Sequence, residues 1–141
     1  MDSRFDLDRD EMLRLVHTLD EGVYITDQHR TILFWSRGAE RITGWKAAEV
    51  MGRRCREGLL EHCDRHGRLL CKSDCPLAAC LADGRPRTER LFLRHRDDRR
   101  LYVEIRTFPL DGPGQHPRGA VEVFRDLSQT NEVPPFLLPE A

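Results

Sequence analysis

A chain of 141 residues, 39% of them hydrophobic, can bury one sizeable core but is too short for two ordinary domains. Its 23 basic and 24 acidic side chains leave a formal net charge of -1, so nothing global draws it to nucleic acid or to an anionic membrane. Five cysteines, an odd number, behind an acidic opening MDSRFDLDRDE argue against a secretory signal and a disulfide framework, and leave metal binding, redox chemistry or plain burial. No apolar run reaches bilayer length, and the expected location is the cytoplasm.

Residues 6–19 read as an amphipathic helix: Met12, Leu13, Leu15, Val16 and Leu19 recur at three- and four-residue steps against Asp8, Arg9, Glu11 and Arg14. Such a helix needs an apolar surface, either the sheet of its own chain or the same helix of a second copy. GVYIT and TILFW, separated by the polar turn DQHR, predict a hairpin. Ser36 is placed to cap a short helix closed by Gly44, and KAAEVM predicts a second one closed by Gly52.

The stretch 55–80, CREGLLEHCDRHGRLLCKSDCPLAAC, holds all five cysteines and two of the six histidines. Pro76 suits the first position of a helix, where its missing amide hydrogen is not needed, and this makes Cys75 the N-cap. A thiol there faces free amides and the positive end of the helix dipole, which favour thiolate, so Cys75 is a candidate reactive group or ligand. The helix runs through PLAACLAD to Gly84. Leu77, Cys80 and Leu81 share one of its faces, so Cys80 reads as a small core residue.

Beyond Gly84 the period becomes two. RLFLRHR, LYVEIRTF and GAVEVFRD alternate faces as antiparallel strands do, with DDRR a tight turn and DGPGQHP a longer loop. Leu101, Val103 and Ile105 fall on one side, and Tyr102, Glu104 and Arg106 on the other. The arginines between 85 and 100 read as a solvated sheet face, since no aromatic-interleaved groove for nucleic acid accompanies them. Two strands, several short helices and three strands make an α+β plan: a five-stranded antiparallel sheet with short helices over one face.

That order, together with LDEGVYITD, TILFWSRGAERITGWKAAEVMG and GAVEVFRDLS, resembles the PAS domain family over residues 19–128. The expected division is an N-terminal flanking helix at 1–18, the PAS domain at 19–128, and a tail at 129–141 whose prolines cannot continue a signalling helix. The resemblance implies a sensory, signal-transducing module whose inner sheet face and helices enclose a pocket. The alternative is a cofactor-free PAS module for protein interaction or dimerisation. GRRCREGLL looks like the photoactive motif of the flavin-binding branch, with Cys55 at the adduct position. Arg54 stands where that motif has asparagine, however, and the strands offer no Asn or Gln to read the flavin edge, so flavin is not expected. Heme is not expected either: CxxCH is missing and PLAACLAD carries no histidine.

A closer resemblance is to a PAS subgroup found upstream of diguanylate cyclase and histidine kinase modules, where a C, H, LC and CPL pattern recurs. Matched residue by residue, it implies a metal-ligand set of Cys55, His62, Cys71 and Cys75, with Cys63 and Cys80 outside it. It also implies a bacterial signalling protein and an output partner such as a diguanylate cyclase or histidine kinase; a homodimer through the N-terminal helix is an expectation from that helix's apolar face alone. Three thiols and an imidazole suit zinc or an iron-sulfur cluster, and their softness selects against magnesium or calcium. The same thiols would serve a redox switch in which Cys75 pairs with Cys71 or Cys55 on oxidation. A third reading has no chemistry at all, with His62 at the surface and Cys71 in the core. No oxyanion hole, acid/base pair or phosphate loop is legible, so no enzyme is expected.

Overall fold

The structure is a computed structural model that describes residues 6–55, 57–70, 75–111 and 116–136. The elements follow in the order α1 (Arg9–Thr18), β1 (Gly22–Asp27), β2 (Ile32–Trp35), α2 (Arg37–Thr43), α3 (Ala47–Val50), α4 (Pro76–Asp83), β3 (Arg87–Arg94), β4 (Arg100–Leu110) and β5 (Gly119–Asp126).

Local chemistry sets most element ends. Helix α1 starts three residues later than its apolar period suggests, because Asp8 caps it in a reciprocal box with Glu11. The hydroxyl of Ser36 accepts from Ala39 N at the start of α2, which ends on left-handed Gly44. Cys75 is the N-cap of α4, with Pro76 directly behind it and left-handed Gly84 at the other end, as its sequence predicts. Strand β3 departs from RLFLRHR. It begins at Arg87, because polar Arg87, Thr88 and Glu89 pair with Thr107, Arg106 and Ile105 of β4 although nothing in their own sequence marks a strand. His95 and Arg96 fall in the following turn, where Asp98 takes a left-handed backbone.

All strand pairs are antiparallel, in the order β2-β1-β5-β4-β3. Alternation sends Leu101, Val103 and Ile105 into the main core with Tyr24, Ile32, Trp35 and Phe124, and α4 closes over this face with Leu77 and Cys80. Cys80 is therefore the core residue that its helical face implies. On the opposite face Phe92 and Tyr102 form a smaller cluster with Cys63 and Leu127. Helix α1 lies over the far half of that outer face, beside Val23, Ile25 and Phe34. The free edge of β3 is covered: Cys63 and Phe92 exchange two backbone hydrogen bonds of 2.8 and 2.9 Å. No helix among the described residues is long and apolar enough to cross a membrane.

Candidate functional site

The inner face of the sheet carries one polar row in an apolar surround. Register places Tyr24 of β1 opposite Glu122 of β5, and Glu122 opposite Thr107 of β4. Glu122 is 1% exposed, and a carboxylate so far from water demands hydrogen-bonding company. Two groups supply it. Oε2 of Glu122 lies 3.1 Å from Nε2 of His62, and the hydroxyl of Tyr24 faces the same carboxylate from β1. Burial first, and then the negative charge of Glu122, hold the Tyr24 hydroxyl well above its ordinary pKa; Cys55 and Cys75 stand close enough to push the same way. The Thr107 hydroxyl is buried beside this row with no hydrogen-bond partner among the described residues.

His62 reaches this row because of how the preceding chain turns. Leu59 and Leu60 anchor the loop in the core. Glu61 adopts a left-handed backbone at φ 45°, a conformation unusual for a side chain with a Cβ. Its strain is offset by Arg94 and Arg100, whose guanidinium groups lie 3.4 and 3.7 Å from the Glu61 carboxylate, and by a 3.2 Å hydrogen bond from Arg100 to its carbonyl. After that turn His62 points to the inner face and Cys63 to the outer one. The reading that left His62 at the surface is corrected: the ring is buried, because Glu122 on a strand sixty residues away needs it.

Of the four residues in the expected ligand set, Cys55 and Cys75 are buried in the main core and His62 is paired with Glu122. Cys71 lies outside the described residues. Among the described residues no group of three or more His, Cys, Asp or Glu side chains is arranged to hold a metal ion. Cys75 Sγ accepts from Ala78 N at 3.5 Å, so its sulfur acts as a helix cap. Cys63 and Cys80 sit in apolar surroundings, and burial pushes both thiols up, which keeps them protonated and poorly nucleophilic.

Sequence reasoning missed Glu122. In GAVEVF the glutamate shares a face with Ala120 and Phe124, while Val121 and Val123 share the other, so alternation alone reads equally well with Glu122 outside. The only usable signal was Phe124, whose bulk favours the inner face and takes Glu122 with it.

The arrangement has known relatives. A family model described as PAS fold matches residues 10–127. The chain is 32% identical over 119 residues to two-component system protein A of Emericella nidulans; the match takes in 84% of this chain but spans only 17% of that protein's length. A PAS domain from Colwellia psychrerythraea superposes with a TM-score of 0.70 at 17% identity, over 85% of this chain and 97% of that one. The blue-light activated histidine kinase of Erythrobacter litoralis superposes with a TM-score of 0.61 at 18% identity, over 87% of this chain and 38% of the other. A five-stranded sheet in this order, short helices on its inner face and a family match over nearly the whole length lead to one conclusion: the chain belongs to the PAS family, whose fold is typical of sensory signal-transduction proteins.

Proposed function

We propose that this chain is a sensory input module, in which a change at the Tyr24–His62–Glu122 centre is passed to a separate signalling protein. The observation that carries the reading is a carboxylate 1% exposed in the middle of the inner face. Such a group costs stability to bury and is sensitive to any new charge or donor placed beside it, which is what a sensor requires. The signal would be a small ligand, a metal or a redox event; for the last two, the candidate donors are the sulfurs of Cys55, Cys71 and Cys75 together with the His62 ring. A bulky planar cofactor does not suit the space. Tyr24 packs on Trp35 at 5.4 Å and on Phe124 at 6.3 Å between ring centroids, so side chains already fill the inner face there. The partner class is an output module of the histidine kinase or diguanylate cyclase kind, supported by the likeness to a two-component protein. The role is one of binding and relay, without catalysis.

The test is elemental analysis and a visible spectrum on anaerobically isolated protein, followed by amide NMR spectra during chelation, oxidation and addition of a small-molecule library. Shifts at Tyr24, His62 and Glu122 under one of these treatments are expected. An unchanged spectrum under all of them would overturn the reading.

A second reading, a cofactor-free module that dimerises through its N-terminal helix, is favoured by a specific feature. Met12 and Leu15 on α1 and Leu19 at its C-cap are exposed, next to an apolar cleft of about 360 Å³ between α1 and the outer face of β1 and β2. Sedimentation velocity separates the two: Leu15→Glu should convert a dimer to a monomer, and a wild type that stays monomeric at high concentration removes this reading.

A further inference from the structure

Helix α1 is fastened at its C-terminal end. The first amide of α2, Arg37 N, donates to Nδ1 of His17 at 3.1 Å, and the His17 ring packs on Phe34 with centroids 5.5 Å apart. The Arg41 guanidinium adds a 3.0 Å hydrogen bond to the Leu19 carbonyl. Along the rest of its length the helix stands off the sheet: none of its ten residues is buried, although its apolar side is turned to the strands.

The gap that this leaves is the cleft of about 360 Å³, with Met12, Leu13 and Val16 as one wall and Val23, Ile25 and Phe34 as the other. Both walls are apolar, so water gains little by filling the slot. Arg9, at the N-terminal end of α1, is the one charged residue lining it among the described residues. Its acidic neighbours Asp8 and Glu11 are engaged with each other's backbone amides in the capping box and do not line the cleft.

The volume decides between occupants. A helix about 10 Å across fills 360 Å³ in less than one turn of about 5.4 Å, so the cleft does not receive an element of a second copy. An unbranched hydrocarbon chain is slender enough to lie between helix and sheet, and it touches both walls. A guanidinium at the end of such a slot matches a planar carboxylate head.

We propose that the cleft under α1 binds one unbranched acyl chain of medium length, with its tail between the helix and β1 and β2 and its carboxylate against Arg9. The cleft opens on the outer face of the sheet, opposite Glu122, and the proposal stands apart from the sensory reading.

The experiment is an amide NMR titration of the full chain with hexanoate, octanoate and decanoate below their micellar concentrations, and with 1-octanol as the uncharged comparator. Saturable shifts are expected at Leu13, Val16, Val23, Ile25 and Phe34, with affinity rising about fourfold for each added methylene until the cleft is full. Arg9→Gln should weaken octanoate by about two- to fivefold and leave 1-octanol unchanged. Val16→Trp fills the slot from a half-buried position and should abolish binding of all three chains; Leu13→Trp takes its place if that variant does not fold. Shifts that do not saturate, affinity indifferent to chain length, or Arg9→Gln acting on octanoate and 1-octanol alike would overturn the proposal. So would cleft amides that move with protein concentration alone, which makes a second copy the occupant, or binding that appears only in Phe5→Ser, which assigns the cleft to residues 1–5.

Discussion

Replacing His62 by leucine tests the centre of the structure most directly. The ring and its partner have side-chain exposures of 8% and 1%, so neither is relieved by water when the other is removed. Breaking a buried pair by deleting one member costs about 3–5 kcal/mol, because the remaining polar group keeps its desolvation penalty. The Tyr24 hydroxyl still faces Glu122 after the substitution, which sets His62→Leu near the lower end, about 3 kcal/mol. Glu122→Leu strands both His62 and Tyr24, and should cost about 4 kcal/mol. The double variant removes both partners and leaves one orphaned hydroxyl, worth about 1–3 kcal/mol. It should therefore be no less stable than the milder single variant, with a coupling energy of at least about 4 kcal/mol, the excess of the summed single losses over that of the double. For a chain of this length the singles lower Tm by roughly 10–15 °C. Urea unfolding of the four proteins completes the cycle. Single variants that cost less than about 1 kcal/mol and simply add would show that the pair is not a buried, mutually dependent unit.

Three other outcomes follow from the same geometry. Ser36→Ala removes the cap on Ala39 N and also the acceptor of Val23 N, which is bonded at 3.0 Å in the buried interior, so urea denaturation should show a loss of about 2 kcal/mol; a change under half of that contradicts the double role. Gly38→Ala places a methyl group against the Glu21 carbonyl oxygen, and the overlap should cost about 1–3 kcal/mol by the same assay; a neutral result means that the α2–β1 junction is looser than described. Tyr24 has a folded-state pKa raised by burial, so its contribution to stability is complete below the unfolded value of about 10 and is lost as the pH rises above it. Alkaline difference spectra should show Tyr24 ionising together with unfolding, whereas reversible ionisation in the folded protein would contradict its pairing with Glu122.

The arginines between 85 and 100 show how little of their role is legible from their own segment. Arg87 bonds Asp83, Arg90 bonds Glu104, Arg94 and Arg100 approach Glu61, and Arg96 bonds Glu49. Their cluster in the sequence reads as a solvated face. Their partners lie on other elements, and one of them, Glu61, turns the loop that delivers His62.

What the sequence by itself determined is whatever depends on neighbours a few residues apart. The caps at Asp8, Ser36 and Cys75, the left-handed ends at Gly44 and Gly84, and the two-residue alternation of β4 all follow from local hydrogen bonding and side-chain direction. What only the tertiary structure decided is which polar groups are enclosed together. A strand's alternation says that Glu122 opposes Val121 and Val123, but not which face meets the helices; that is set when β5 is laid between β1 and β4 with Phe124 inward. Once Glu122 is inside, the expense of an unpaired buried carboxylate draws His62 from a distant loop and Tyr24 from the next strand. Pairing of that kind arises from three-dimensional enclosure, and spacing along the chain carries no record of it.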